Sequence, residues 1–130
     1  DMRAFVRRIA EAGRAARPGF LVLPQNGEAL LDDAGYRAVI DGMGSEDLLY
    51  GEERDGKPNN PASIARRREL LRHVVADGKP VLSVEYLKNA ARIAEARRLH
   101  EEAGFTPHFA DRDLGRLRRG DVPGRRIREP

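Results

Sequence analysis

The stretch AVIDGMGSEDLLYGEE, residues 38–53, passes from a short apolar run into a group of acidic side chains. A short apolar run that ends at glycine is typical of a buried strand, so residues 36–42 are predicted to form one. Asp41 lies at the end of that run, and Glu46, Asp47 and Tyr50 follow it. An acidic tip on a buried strand has two interpretations, a solvated loop or the rim of an active site.

Similar apolar runs recur along the chain and alternate with amphipathic segments. Further strands are predicted over residues 20–23, 80–84 and 105–110. Helices are predicted over residues 2–16, from the cap Asn60 to residues 77–79, and over residues 87–103, with a short helical turn at residues 27–31. Strands that alternate with helices are typical of a parallel sheet with right-handed crossovers, so an α/β fold is predicted.

Polar side chains follow each predicted strand. They are Gln25, Asn26 and Glu28 after the first strand, Asp41, Glu46, Asp47 and Tyr50 after the second, Glu85 and Tyr86 after the third, and Asp111, Arg112 and Asp113 after the fourth. In parallel α/β folds, ligands bind at the carboxyl ends of the strands. We therefore expect Gln25, Glu46, Glu85 and Asp111 to lie together at one end of the sheet.

These acids also have purely structural interpretations. A first-turn or capping role at a helix would explain Glu28, Glu46, Asp47, Asp111 and Asp113. Glu85 could be a solvated loop acid. The amides of Gln25 and Asn26 are harder to explain in this way, because amides next to a buried strand need hydrogen-bond partners.

Composition argues against several classes of partner. The net charge of +3 comes from residues 114–130, where six arginines face two acids, so the other residues sum to about −1. With 5% aromatic residues there is little for base stacking, and no nucleic-acid partner is predicted. No apolar run approaches the roughly 20 residues needed to span a bilayer, and no signal peptide is recognised in this chain.

Several kinds of chemical site are also not predicted. The chain has no cysteine, and its histidines (His73, His100 and His108) are too scattered for a ligand set, so no metal is expected. No cofactor is expected either, because a glycine-rich phosphate loop is absent, as is a serine nucleophile elbow. The tripeptide at residues 119–121, Arg-Gly-Asp, is attributed to chance in an arginine-rich tail. A rim of carboxylates, amides and tyrosines suits a neutral or cationic polyhydroxylated substrate.

Four segments resemble glycoside hydrolase family 114, in its bacterial branch of endo-alpha-1,4-polygalactosaminidases. They are PGFLVLPQNGEALL (residues 18–31), YRAVIDGMGSEDLLYGE (36–52), GKPVLSVEYL (78–87) and GFTPHFADRDLGRL (104–117). The resemblance implies a (β/α)8 TIM barrel of which residues 1–117 form the carboxyl-terminal half, with strands 5 to 8. Residues 118–130 would form a basic tail. It also implies a secreted full-length protein that cleaves alpha-1,4-linked galactosamine polysaccharide by a retaining mechanism.

The resemblance assigns roles to residues at the rim. Glu46 corresponds to one of the family's two catalytic carboxylates. The other, an aspartate that ends the fourth strand, would lie upstream of Asp1, and Glu85 stands where an aspartate is expected. The expected substrate contacts are Gln25, Asn26, Glu28, Asp41, Asp47, Tyr50, Glu85, Tyr86, Asp111 and Arg112.

Three competing interpretations stay open. The barrel could bind carbohydrate without cleaving it, since a fold does not guarantee chemistry. It could belong to a different enzyme that acts on polysaccharide, or it could be a half barrel with no function of its own. Because its outer strands would present unpaired backbone groups, the 130-residue chain alone is expected to self-associate. It is also expected to be inactive, since the fourth-strand aspartate would be missing and two carboxylates are required.

Overall fold

The computed structural model describes residues 1–115, so the predicted tail at residues 118–130 and the boundary before it lie outside the described residues. The helices are α1 (Met2–Ala16), α2 (Ala34–Val39), α3 (Pro61–Ala76) and α4 (Ala90–Glu102), with a 3-10 turn at Glu28–Asp32. The strands are β1 (Met43–Glu46), β2 (Val81–Glu85) and β3 (Thr106–Phe109). The three strands form a parallel sheet in the order β1-β2-β3. The predicted α/β class with a parallel sheet is confirmed.

Side-chain caps determine where the long helices begin. Asp1 accepts a hydrogen bond from the backbone N–H of Arg3 at the start of α1. Asn60 caps α3, with proline in the first turn, and Asn89 caps α4. An oxygen at the cap satisfies an N–H group that has no partner within the helix, which fixes the first turn. The cap at Asn89 explains why α4 begins at Ala90 and not at the predicted residue 87.

The predicted strand over residues 36–42 is wrong, since this segment forms α2 and the strand begins at Met43. Asp33 accepts a hydrogen bond from the backbone N–H of Tyr36 at 2.7 Å and so caps the helix. Tyr36 and Ile40 are both buried and lie four residues apart, which is helical spacing. Asp41 therefore precedes β1 and lies at the opposite end of the sheet from Glu46.

The predicted strand at residues 20–23 is not a regular strand either. The segment runs beside β1 and makes one parallel bridge, between Gln25 and Gly44. The backbone N–H groups of Asp41 and Gly44 donate to the carbonyls of Val22 and Pro24, both at 2.8 Å. Pro24 has no N–H group to return, so a continuous ladder cannot form here. The predicted strands at 80–84 and 105–110 are confirmed within a residue or two.

The sheet has one covered face and one open face. Successive strand residues point to opposite faces. The covered face packs against α3 and α4, and its core includes Met43, Val81, Phe109, Leu71 and Ala96. The open face carries Gly44, Glu46, Leu82, Val84, Thr106 and His108, of which Leu82 is 43% exposed.

Apolar side chains outside the sheet are exposed as well. They lie on α1 and in the segment beside β1: Met2, Phe5, Ile9, Phe20, Leu21 and Leu23. Parallel sheets are normally buried on both faces, so the described fold leaves apolar surface that a larger structure would cover. None of the helices within residues 1–115 has the length and apolarity that a membrane crossing requires.

Candidate functional site

Glu46 is the last residue of β1, and each oxygen of its carboxylate accepts a hydrogen bond from a side chain. Oε1 accepts a hydrogen bond from the side-chain amide of Asn26 at 3.0 Å, and Oε2 accepts one from the hydroxyl of Tyr86 at 2.8 Å. The backbone N–H of Glu46 donates back to Oδ1 of Asn26 at 3.0 Å. Asn26 has a φ of 59°, a left-handed conformation that asparagine tolerates better than most residues. These contacts fix the orientation of the carboxylate.

The hydrogen bonds favour the ionised form of Glu46. The bond from Tyr86 is the largest cause of a lowered pKa, followed by that from Asn26, and Gln25 and Arg112 act in the same direction. Desolvation and the bond to the Glu46 carboxylate together raise the pKa of Tyr86 to about 12. The phenol therefore stays protonated at neutral pH and continues to donate. The site presents a fixed, negatively charged carboxylate.

Arg112, in the loop after β3, contacts two residues that lie next to this carboxylate, Asp47 and Tyr86. Its Nη1 and Nη2 atoms donate to the two carboxylate oxygens of Asp47 at 3.1 and 2.9 Å. Its Nε atom lies 2.6 Å from Asp55. Its guanidinium carbon lies 4.2 Å from the ring centre of Tyr86. Asp47 is thus neutralised by a bidentate ion pair and is not a second free carboxylate beside Glu46.

Glu28 lies below the rim, enclosed by polar partners. The hydroxyl of Ser45 donates to Oε1 of Glu28 at 2.6 Å, and Nη2 of Arg67 donates to the same oxygen at 2.8 Å. Burial alone would raise the pKa of Glu28, but the hydrogen bonds from Ser45 and Arg67 outweigh it, and the pKa is lowered. Glu28 is 7% exposed, so its carboxylate supports β1 from within and is not open to a substrate.

Arg67 also reaches the backbone that follows Glu46. It donates to the carbonyl oxygens of Glu46 and Asp47 at 2.8 and 2.7 Å. Arg67 is not among the site residues predicted from the sequence. Arg67 lies three residues after Ile64 and four before Leu71, on the inward side of α3. A cation at an apolar helix position was the signal that could have identified it.

Glu85, at the end of β2, is fully buried on the covered face. Its Oε1 atom accepts a hydrogen bond from the backbone N–H of Leu49 at 2.8 Å and lies 3.0 Å from Nε2 of His100. Its Oε2 atom has no hydrogen-bond partner among the described residues. Glu85 therefore joins the loop after β1 to α4, and its carboxylate does not reach the surface.

Asp41 lies away from the rim. Its Oδ2 atom accepts hydrogen bonds from the backbone N–H of Val22 at 2.7 Å and from Arg14 at 2.8 Å. The bond from Val22 is the largest cause of its lowered pKa. Asp41 thus connects α1 and the segment at residues 20–23 to the amino end of β1. It cannot contact a ligand bound beside Glu46.

An open cleft of about 870 Å³ lies beside Tyr86, between the loops after the three strands. Its lining includes Asp55, Tyr86, Arg92, Asp111 and Arg112. Tyr50 lies at the same end, with the guanidinium carbon of Arg92 5.6 Å from its ring centre. Within residues 1–115, no three His, Asp or Glu side chains are arranged to hold a metal ion.

The strand-end residues predicted from sequence thus divide into three groups. Gln25, Asn26, Glu46, Asp47, Tyr50, Tyr86, Asp111 and Arg112 lie at the carboxyl end of the sheet, near the open face or the cleft. Glu28 and Glu85 lie at that end but are buried. Asp41 lies at the other end. The group of accessible residues at the carboxyl end of the sheet is therefore smaller than the set predicted from the sequence.

Three curated relatives match most of this chain. A protein of Deinococcus radiodurans is 36% identical over 121 residues, which are 90% of this chain and 37% of the relative. A Thermotoga maritima protein is 33% identical over 85% of this chain and 36% of its own length. One from Methanocaldococcus jannaschii is 30% identical over 90% of this chain and 37% of its own length.

All three relatives are described as uncharacterized proteins. No protein-family model matches the chain. The chain spans little more than a third of the length of each relative. The activity of a longer protein of this kind is therefore a matter for proposal.

Proposed function

We propose that this chain is the carboxyl-terminal half of a (β/α)8 glycoside hydrolase barrel, and that Glu46 is one of its two catalytic carboxylates. The observation that carries the proposal is the placement of Glu46. It ends a parallel strand, projects on the open face, and is held ionised by Asn26 and Tyr86. In barrel enzymes the catalytic residues stand at the carboxyl ends of the strands.

The open face of the sheet supports the barrel. A closed barrel would cover Leu82, Val84 and Thr106 with side chains from the opposite strands, as the interior of such a barrel is packed. A complete barrel takes about 250 residues. The relatives match this chain over 36–37% of their own length and so have room for the remaining strands.

The chemistry of the rim supports a glycosidase. Cleavage of a glycosidic bond needs two carboxyl groups, one of which is ionised and acts as a nucleophile or base. A carboxylate with a lowered pKa, such as Glu46, meets that requirement. An alpha-1,4-linked galactosamine polymer carries amino groups that are cationic when not acetylated, and these favour an anionic site. The second carboxylate would come from a strand outside this chain.

A second candidate is a barrel that binds carbohydrate without cleaving it. It is favoured by the hydrogen bonds that occupy both oxygens of Glu46 and by the ion pair that neutralises Asp47. A single carboxylate with spare lone pairs can bind a sugar hydroxyl or amine, but it cannot complete the two-carboxylate mechanism.

Cleavage and binding measured together on the full-length protein separate these functions. We expect wild type to release reducing ends from partly deacetylated alpha-1,4-galactosamine polymer. Glu46→Gln should lower the rate by at least about 10²–10⁴-fold, as expected for a catalytic proton-transfer group, while the polymer still binds. Glu95→Gln, at an exposed α4 acid, is the matched control and should cleave normally. Binding without cleavage by wild type would favour the second candidate, and wild-type turnover by Glu46→Gln would refute the proposal.

A further inference from the structure

Arg112 connects three loops of the rim through one planar group. It lies after β3, pairs with Asp47 after β1 and with Asp55 in the loop over residues 51–60, and stacks on Tyr86 after β2. Nε, Nη1 and Nη2 all face protein carboxylates, and one face of the guanidinium covers an aromatic ring. These contacts use three of the five N–H donors of the guanidinium, so most of its hydrogen-bonding capacity goes to the protein itself.

We propose that Arg112 is a positioning residue, which sets the Glu46 carboxylate by fixing Tyr86 and Asp47 on either side of it. The catalytic part of this inference rests on the proposed function. The geometric part does not, because it concerns contacts within the chain. The family resemblance implies a substrate contact for Arg112, whereas its contacts within the chain point to a role inside the rim.

Through its stacking contact with Tyr86, Arg112 orients a hydrogen-bond donor to Glu46. The guanidinium lies 4.2 Å from the ring centre of Tyr86, and the hydroxyl of the same ring donates to Oε2 of Glu46 at 2.8 Å. Stacking restricts the tilt of the ring and so restricts where the hydroxyl points. Loss of the guanidinium would free the ring, and the hydroxyl would spend less time on Glu46.

Through its ion pair with Asp47, Arg112 fixes the backbone next to Glu46. Asp47 has a φ of 51°, a left-handed conformation that is unfavourable for most non-glycine residues. The bidentate pair with Arg112 holds its side chain, while Arg67 and Asn59 both donate to its carbonyl oxygen at 2.7 Å. The direction of the chain after Glu46 is therefore fixed by contacts to both the side chain and the backbone carbonyl of Asp47.

Gly51 shows that the chain leaves space for this ion pair. A Cβ atom at Gly51 would lie 2.5 Å from Oδ1 of Asp47 and 3.0 Å from Nη2 of Arg112. The residue also has a φ of 101°, which side chains rarely adopt. Any larger residue at this position would displace the pair.

Arg112 also acts on Glu46 through its charge, in the direction that lowers the Glu46 pKa. Tyr86, Asn26 and Gln25 hydrogen-bond to this carboxylate. Of the charged groups nearby, Asp47 follows Glu46 along the chain, and Arg67 of α3 donates to the backbone carbonyl of Glu46. On the open face, His108 stands two strands away in register. Removal of Arg112 should therefore raise the Glu46 pKa by two routes, a lost positive charge and a weakened bond from Tyr86.

A kinetic split in the full-length protein distinguishes positioning from substrate binding. We expect Arg112→Gln to lower kcat about tenfold or more with KM nearly unchanged, and to move the Glu46-dependent limb of the pH–rate profile to higher pH. Arg112→Lys keeps the charge and loses the bidentate fork, so it should recover the pH profile better than kcat. Arg98→Gln removes an exposed arginine that also pairs with two acids, Glu95 and Glu102, and should change neither quantity. A rise in KM at constant kcat would overturn the proposal in favour of a substrate contact.

A carboxyl NMR titration tests the same inference without any substrate. The Glu46 signal, assigned by its loss in Glu46→Gln, should titrate at higher pH in Arg112→Gln than in wild type. In a Tyr86→Phe background the same substitution should have a smaller effect, because one of its two routes is already removed. An unchanged Glu46 midpoint in a folded Arg112→Gln protein would overturn the proposal. If wild type cleaves no polymer but the midpoint moves, the proposed function fails and the positioning role stands.

Discussion

Glu46 and Glu85 end adjacent parallel strands, yet one faces the open side of the sheet and the other is sealed beneath it. Glu46 pairs in register with Val84, on the open face, and Glu85 is the next residue along β2. Because side chains alternate between faces, this single step turns the Glu85 carboxylate toward α4 and His100. The alternation of side chains along a strand thus decides which strand-end acid is accessible to a ligand. The two buried acids, Glu28 in the 3-10 turn and Glu85 on the covered face, contact the loop and strand that carry Glu46 and hold them in place.

The largest expected effect on stability comes from the support beneath Glu46. Arg67→Met should lower the free energy of unfolding by about 3–5 kcal/mol, because it leaves the Glu28 carboxylate buried without its cation. Arg66→Met, one residue away, breaks an exposed pair with Glu69 and should cost less than about 1 kcal/mol. Urea unfolding of both variants measures the difference. Equal losses would mean that the Glu28 network is not a support.

The contribution of the buried Glu85 carboxylate to stability is tested by a substitution at His100. His100→Leu should lower the free energy of unfolding by about 1–3 kcal/mol, since the buried Glu85 carboxylate keeps only the Leu49 N–H as a partner. His73→Leu, at an exposed position of α3, provides the matched control. Thermal or urea unfolding suffices for the measurement. If the two leucine variants were equally stable, the buried contact between His100 and Glu85 would contribute nothing measurable.

The smallest effect is expected at the rim, through pH. The pKa of Glu46 in the folded protein lies below its ordinary value of 4.5, so the associated stability is present above that pH and is lost as pH falls through the folded-state pKa. Tyr86→Phe removes the largest cause of the shift. We therefore expect a flatter dependence of stability on pH in the acidic range, with a loss of about 0.5–1.5 kcal/mol at neutral pH, the range of a hydrogen bond that is only partly buried.

Tyr50→Phe is the matched control for that measurement, because Tyr50 lies at the same end of the sheet and does not bond to Glu46. Urea unfolding at a series of pH values compares the two phenylalanine variants. A Tyr86→Phe curve that runs parallel to wild type would show that the hydrogen bond does not favour the ionised form of Glu46.

Sequence reasoning identified much of the fold because its signals were local. Asn60 followed by proline marks the start of α3, and the apolar run before Glu85 marks β2. The segment at residues 36–42 was misjudged because Tyr36 and Ile40 satisfy helical spacing within a short apolar run, which periodicity alone cannot distinguish from a strand. The cap at Asp33 was the missing signal.

The sequence alone does not show on which face of the sheet each strand-end side chain lies. A change of one residue in strand register turns every side chain to the other face. Glu46 and Glu85 therefore looked equivalent in sequence, and the burial of Glu28 by Arg67 depended on a helix 39 residues away. Asn26, Tyr86 and Arg112 were predicted at the rim because they follow strands, but their contacts with Glu46 and with one another required the folded chain.

One crystal structure would show whether Glu46 is the reactive acid on the open face. The full-length Glu46→Gln protein would be crystallised with an alpha-1,4-galactosamine oligomer. We expect an oligomer across the carboxyl ends of the strands, with residue 46 within about 3–3.5 Å of an anomeric carbon or a glycosidic oxygen. An oligomer bound elsewhere, or a segment of the longer chain that buries residue 46 away from solvent, would contradict it.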